Sequence, residues 1–392
     1  MRVAFITHYC ELYGANCSML NLIDGLVPLG VKPFVIVPHD GDIIAALTKR
    51  SVPYLVVPHQ YWSSVFSASR GFVGRMVRYV KWKKDALGRM RINLLILPQV
   101  VRQLKEWDID IIYTNSSVIP LGAFAAFWTR KPHVWHLREF GDLDYHLILD
   151  WGKVLTNLIL RRASTQICVS EAIRSHFSKG LVEGKYHVIY NGVATEAKID
   201  RIHRASVRTE TDGTFVFSLV GLIHPGKGQE TAIRALGHLS GSFPEARLII
   251  AGGGGSTKPL EEIAAECGVA KQVKFWGYAE NPYDIYLQSD TVLMCSKNEA
   301  MGRVTIEAMS AAKPVIGYKD GGTVELIVHE HNGLLYEGGS EELAACMRRF
   351  MESPEWAKSM GWNGWRIAKE KFTIETYAES IYGILTNVIF HK

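Results

Sequence analysis

SKNEAMGRVTIEAMSAAKPVI, residues 296–316, follows the apolar run Thr291–Cys295. The run reads as a buried strand. A loop with Glu299 and Gly302 comes next, then a helix predicted over Val304–Ala312, closed by Lys313-Pro314 because proline disfavours a helical residue before it. A strand, a glycine loop and a helix N-terminus turn free backbone N–H groups toward a pocket, which suits a phosphate. Glu299 and Glu307 stand eight residues apart. On one continuous helix that is about 12 Å, at roughly 1.5 Å per residue. Glu299, being in the loop, is expected to fold back beside the first turns. Taken alone, the two carboxylates also fit a glycosidase, which needs its pair about 5–10 Å apart, or a structural capping and ion pair.

Outward from this stretch, strands alternate with helices, the signature of doubly wound parallel sheets. Strands are predicted at Arg2–Thr7, Phe34–Val37, Tyr54–Val57, Ile109–Tyr113, His133–His136, Gln166–Val169 and His187–Ile189. A second series holds Phe215–Val220, Arg247–Ala251, Val273–Trp276, Thr291–Cys295, Pro314–Gly317 and Gly333–Tyr336. Residues 193–213 are polar and aperiodic and read as a linker. The expected architecture is α/β: two Rossmann-like αβα domains facing across a cleft. Residues 1–195 form the first and 210–372 the second, with an amphipathic helix in 373–392 returning to the first.

The chain of 392 residues is too long for one comfortable core. It is 47% hydrophobic and 21% charged, an ordinary globular composition. A net charge of +5 does not suggest nucleic acid. The six cysteines make no CxxC pair, so a reduced, cytoplasmic protein is the simplest expectation. MRVAFITHYCE at the start does not read as a signal peptide. No apolar run reaches the 18 or so residues of a membrane span, and Val118–Trp128 reads as a core helix. One stretch stands apart: residues 70–91 hold Arg70, Arg75, Arg78, Lys81, Lys83, Lys84, Arg89 and Arg91 against Asp85, with aromatic and aliphatic residues interleaved. Such a helix either lies on an anionic membrane surface or packs its apolar side on the domain.

Gly221-Leu-Ile-His-Pro-Gly-Lys227-Gly228 nearly spells a Walker A loop, but Gly228 stands where the Mg²⁺-binding hydroxyl is required. An NTPase is therefore disfavoured, while Lys227 still suits a phosphate contact without metal. Ala251-Gly-Gly-Gly-Gly-Ser256 lacks dinucleotide spacing and reads as a strand-to-loop junction. The triplets Asp108-Ile-Asp110 and Asp142-Leu-Asp144 read as surface charge rather than metal ligands. His133 and His136, three apart on a strand, face opposite sides. His136 sits at the carboxyl end, where such sheets bind ligands.

Taken together the segments resemble the retaining, nucleotide-sugar-dependent glycosyltransferases of the glycogen-synthase type, family 4, with the GT-B fold. Glu299-Ala-Met-Gly-Arg-Val-Thr-Ile-Glu307 is similar to that family's E-x7-E motif, and Gly321-Gly322-Thr-Val-Glu325 follows it as in the family. Val220–Gly228, Val169-Ser170-Glu-Ala-Ile and Ile189-Tyr-Asn191-Gly192-Val add to the likeness. The resemblance implies that Glu307 holds the donor ribose and Glu299 the transferred sugar. It implies that Lys227, with Gly302 and the amides near Arg303 and Val304, receives charge on the departing diphosphate. It places His136 against the donor sugar and Gly14 against the diphosphate from the first domain. The implied activity is metal-independent transfer, with retention, from a UDP- or GDP-sugar to a glycan or lipid-linked acceptor, in polysaccharide or glycolipid assembly. No cofactor is expected, and the place is the cytoplasm or the inner membrane face. A nucleotide-sugar epimerase and a non-catalytic sugar-nucleotide-binding subunit remain alternatives. Three positions depart from the family. Leu222 replaces an arginine, Asn16 an acidic residue, and Ala300-Met301 the usual proline or glycine with phenylalanine.

Overall fold

The computed structural model describes residues 1–65, 72–206 and 213–390. It forms two compact units, Met1–Gly192 with Ile374–Lys392, and Val193–Thr373. The chain therefore passes from one to the other at 192–193 and returns at 373–374.

The first unit is built on an all-parallel sheet in the order Tyr54–Val56, Lys32–Val37, Arg2–Ile6, Ile111–Thr114, His133–Leu137, Thr165–Cys168, Tyr186–Val188. Val3, Ala4, Phe5 and Ile6 are all fully buried, as expected of a strand covered on both faces, which is why it reads as an unbroken apolar run. The chain builds outward from Arg2–Ile6 to Tyr54–Val56, then crosses back to Ile111–Thr114. The carboxyl ends of these strands flank the switch point where open α/β sheets take ligands. Helix Ile374–Phe390 sets Tyr377, Ala378, Ile381, Ile384 and Leu385 into the core that also holds Met19, Ile23 and Leu26 of helix Gly14–Leu26. The i, i+3, i+4, i+7 spacing makes that one face. Each large aliphatic so buried contributes about 1.5–3 kcal/mol.

The second unit carries six parallel strands in the order Val273–Gly277, Arg247–Ala251, Val216–Val220, Thr291–Met294, Val315–Tyr318, Gly333–Tyr336. Its switch point lies between Val216–Val220 and Thr291–Met294, so the loops leaving those two strands are neighbours. These are the lysine loop and the Glu299 loop.

The structure differs from the sequence expectation in several places. The basic stretch belongs to a 35-residue helix, Phe72–Glu106, that continues through Pro98; Arg70 lies outside the described residues. Two of its cations turn inward. Arg89 pairs with the buried Asp150 at 2.6 Å, and Lys83 donates to the Asp150 carbonyl at 2.7 Å. Trp82 Nε1 donates to Ser64 Oγ at 2.8 Å, fixing the helix to a ribbon of Ser63–Val65 and Leu147–Leu149. The supposed linker contains helix Glu196–Ser206, and 207–212 lie outside the described residues. That helix is held by Lys369 on Asp200 at 2.9 Å and by His203 stacked on Trp365 at 4.4 Å, contacts that no local pattern announces. The apolar stretch Val118–Trp128 is a core helix only in part: Leu121–Thr129 is helical, but Phe127 and Trp128 are exposed.

Candidate functional site

The lysine loop is shaped by its own hydrogen bonds and by packing. Pro225–Lys227 forms one 3₁₀ turn, capped by His224 Nδ1 accepting from the Gly226 amide at 3.1 Å. Gly228 has φ 72°, and a Cβ there would lie 2.5 Å from the Cys295 carbonyl oxygen. Only glycine lets the loop settle against the end of strand Thr291–Met294. The result is that Lys227 Nζ reaches Glu299 Oε2 at 2.8 Å. Burial disfavours the charged form of Glu299, but the Lys227 ammonium, Ser296 and the Gly302 amide outweigh it. They hold its pKa below the ordinary value.

The Glu299 loop is clamped from behind. Gly322 N donates to the Glu299 carbonyl at 2.7 Å, and a Cβ on Gly322 would lie 2.6 Å from the Ala300 carbonyl. The Gly321-Gly322 pair after strand Val315–Tyr318 is thus a backing plate for the Glu299 loop. Met301 is buried and packs inward. Gly302 caps the helix Arg303–Ser310 at φ 92°. Amides in the first turn of a helix have no intrahelical acceptor, so those of Arg303 and Val304 are suited to an anion. One turn on, Glu307 is buried and its two oxygens are bound separately. Oε1 faces Arg303 Nη2 at 3.0 Å, and Oε2 accepts from the Tyr286 hydroxyl at 3.1 Å. Burial, then the Glu307 charge, raises the Tyr286 pKa well above normal, so the phenol stays a donor.

The second unit therefore brings together Lys227, Glu299, Gly302, Arg303, Val304 and Glu307. Two cations, each tied to a carboxylate, stand around a helix N-terminus. A diphosphate would draw Lys227 and Arg303 toward itself and free the carboxylates for hydroxyl groups. Leu222, at the family's arginine position, offers no cation; its carbonyl accepts from Gln229 Nε2 at 2.7 Å.

His136 and Gly14 belong to the first unit. His136 is fully buried, with Nδ1 2.6 Å from the Tyr113 hydroxyl and Nε2 without a partner. Burial, helped by the Arg138 charge, drives its pKa well below normal. Burial also keeps Tyr113 protonated. The phenol then donates to Nδ1 and the imidazole proton is assigned to Nε2, an unmatched buried donor. His133, on the other face as expected, meets Thr114 Oγ1 at 2.8 Å. Gly14 opens the first helix and is exposed. Asn16 is fully buried: it accepts from the Thr7 hydroxyl and donates to the Tyr9 and Glu11 carbonyls, both at 2.9 Å. Its role is to close the loop on the first strand, and an acidic residue lacks the amide donors to do this.

Neither DxD triplet is simple surface charge. Asp108 is exposed beside Arg2, but Asp110 accepts from the Arg2 amide at 2.8 Å. Asp144 caps a turn through the Gly141 and Phe140 amides at 2.7 and 3.1 Å, with its pKa raised to about 6 by burial and Glu139. Sequence reading missed Tyr286, the backing role of Gly321-Gly322, and the Arg138–Glu139 pair beyond His136. The last had one signal, its position just past a strand's carboxyl end.

Two family models divide the chain: Glycosyltransferase Family 4 matches residues 13–197, and Glycosyl transferases group 1 matches 199–366. The chain is 29% identical over 214 residues to an uncharacterized glycosyltransferase of Methanocaldococcus jannaschii, covering 52% of this chain and 54% of that protein. It thus spans about half the length of the first curated relatives it matches. It is 22% identical over 415 residues to the alpha-monoglucosyldiacylglycerol synthase of Acholeplasma laidlawii, covering 96% and 94%. Anabaena HepE, solved in complex with UDP-glucose, superposes with a TM-score of 0.76 at 24% identity, over 99% of this chain and 100% of that one. At that identity the likeness establishes the fold alone.

Proposed function

The chain belongs to the family 4 glycosyltransferases with the GT-B fold, and from that premise we propose that it moves a sugar from a nucleotide-diphosphate sugar to a glycan or lipid-linked acceptor with retention of configuration. The observation that carries the reading is the pair of ion pairs, Lys227–Glu299 and Arg303–Glu307, around the N-terminus of helix Arg303–Ser310. Lys227, Arg303 and the helix amides take the diphosphate, whose charge grows as the glycosidic bond breaks; donors fixed where charge develops act most strongly. Glu307 accepts the two vicinal ribose hydroxyls, and Glu299 those of the transferred sugar. His136, fully buried with an unmatched Nε2 proton, remains the first unit's candidate for the donor sugar by its motif. The chemistry so described takes its electrostatic help from side chains and amides rather than from a divalent metal. An open cavity of about 480 Å³ lined by Trp276, Tyr278 and Asn281, beside the end of strand Val273–Gly277, suits the base.

A lipid-linked acceptor is supported by the first unit's long helix. Arg75, Arg78, Lys81, Lys84 and Arg91 are exposed on it together with Met76, Val77, Tyr79, Val80 and Leu87. A helix exposing both cations and large apolar groups fits an anionic bilayer surface. Among the described residues, no helix is long and apolar enough to cross a membrane.

A thermal-shift panel of UDP, GDP, ADP and their sugars tests the donor reading. One nucleotide series should raise the melting temperature in proportion to affinity; no response to any of them would undo it. Co-sedimentation with anionic vesicles at low salt tests the surface, and no binding would remove it.

A further inference from the structure

Three strands of the first unit end side by side and a fourth, Tyr54–Val56, ends two places out beyond Lys32–Val37; each delivers polar or aromatic residues at the carboxyl end of the sheet. Strand Arg2–Ile6 leads to His8-Tyr9, Tyr54–Val56 to His59 and Tyr61, Ile111–Thr114 to Ser116-Ser117, and His133–Leu137 to Arg138-Glu139. Glu139 is only 7% exposed. Its Oε1 accepts three hydrogen bonds: from Ser116 Oγ at 2.7 Å, Ser117 N at 2.6 Å and Ser117 Oγ at 2.7 Å. Its Oε2 accepts none from the described residues. Arg138, the adjacent cation, does not bind it, because the guanidinium is spent on Asn115, Asn191 and Tyr377 at 2.6, 2.7 and 2.9 Å.

A carboxylate held by three donors on one oxygen and none on the other is oriented, not satisfied. Oε2 is not sealed in: it reaches solvent, so the oriented carboxylate presents this oxygen to a partner from outside. Aromatic rings cluster near it. His8 lies edge-on to Tyr9 at 4.2 Å and 5.8 Å from Tyr61, whose hydroxyl makes no hydrogen bond to described residues. Tyr9, Tyr61 and Asp144 are all near enough for the Glu139 charge to disfavour theirs, a lesser effect than burial in each case. Glu11 adds a second carboxylate near Tyr61.

We infer that Glu139, Tyr61 and Tyr9 form the acceptor subsite, and that it takes a neutral polyhydroxyl group, a sugar ring, rather than a phosphorylated one. Oε2 of Glu139 accepts a hydrogen bond from an acceptor hydroxyl. The tyrosine rings offer apolar faces to the C–H surface of the sugar. Glu11, Glu139 and Asp144 set like charge against a phosphate on that ring. The inference rests on the transferase reading for the word acceptor, but the binding of a neutral sugar does not.

The experiment uses the full chain with octyl glucoside, octyl galactoside and octyl mannoside, and with their 6-phosphates. Saturation-transfer NMR without any nucleotide reports binding, and initial rates with the active nucleotide sugar report KM. Glu139→Gln keeps an oxygen for Ser116 and Ser117 but points an N–H where the hydroxyl should donate. The expected result is binding of at least one neutral glycoside and not its phosphate. Glu139→Gln should raise its Kd and acceptor KM roughly ten- to a hundredfold, as for one lost hydrogen bond to a charge, with donor KM unchanged. Tyr61→Phe, which keeps the ring, should raise KM less. Neutral glycosides bound equally by wild type and Glu139→Gln, or phosphates bound as well as neutral sugars, would overturn the inference while leaving the donor reading standing. Glycoside binding lost in Glu139→Gln, in a protein that responds to no nucleotide sugar, would uphold the subsite and sink the donor reading instead.

Discussion

Replacing Lys227 with alanine strands a carboxylate. Glu299 would keep Ser296 and the Gly302 amide but lose the charge that outweighs its burial. Removing one member of a fully buried pair costs about 3–5 kcal/mol, and of a surface pair about 0–1. Side-chain exposures of 32% for Lys227 and 17% for Glu299 place this pair between, so about 1–2 kcal/mol is expected. In a domain of this size that lowers Tm by about 2–8 °C. The loss is pH-dependent. The wild-type Glu299 pKa is depressed, so its stabilisation is present above the unfolded carboxylate value of about 4.3 and fades as pH falls through the folded pKa. The gap between wild type and Lys227→Ala should therefore narrow below about pH 4.3. Transfer should fall on the order of 10²–10³-fold, because a donor to developing charge is gone. Thermal melts at pH 7, 5 and 3.5, with product assays at pH 7, measure both. A Tm gap constant across pH, or activity within twofold of wild type, would refute the reasoning.

Glu307→Ala should weaken nucleoside-diphosphate binding roughly 10–100-fold in calorimetry through two lost hydroxyl contacts, with Tyr286 left unmatched. Gly228→Ala forces a Cβ 2.5 Å from the Cys295 carbonyl at a left-handed φ; it should cost about 1–3 kcal/mol in denaturant unfolding and displace Lys227. His8 and His133 are pushed by burial to pKa values of about 3 and His59 to about 4, with His136 lowered too. The unfolded chain binds their protons first, so the first unit should lose about 1.4 kcal/mol per pH unit for each histidine as pH falls below about 6.5. Chemical melts at pH 7, 6 and 5 would show this, and a flat profile would contradict it. Ile381→Ala, in the terminal helix, should cost about 2–5 kcal/mol in the same melts.

Much of the fold was readable because fully buried parallel strands are continuous apolar runs and the loops leaving them carry glycine. The carboxylates at 299 and 307 were readable for a related reason: the loop-to-helix turn fixes their setting locally. The helix Phe72–Glu106 buries no apolar stripe over its first turns, since Met76, Val77, Tyr79 and Val80 are exposed together. Helix Glu196–Ser206 buries only Ile199 and Ile202 and depends on Trp365 and Lys369, far along the chain. Glu139 resembles any acid after a strand until Ser116 and Ser117, more than twenty residues earlier, are seen saturating one of its oxygens. Asn16 reads as a lost acid and is a loop closure. In each of these cases the deciding partner is distant in sequence.

We propose that Lys227, Glu299, Arg303 and Glu307 hold a nucleotide-diphosphate sugar for transfer. The most direct measurement is product analysis by NMR after incubating the protein with its stabilising sugar nucleotide and a neutral alkyl glycoside. The account predicts a new glycosidic linkage with the donor's anomeric configuration and one equivalent of nucleoside diphosphate, both falling on the order of 10²-fold or more in Lys227→Ala and Glu307→Ala. Epimerised sugar nucleotide with no linkage formed, or as much product from the two variants as from the wild type, would contradict it.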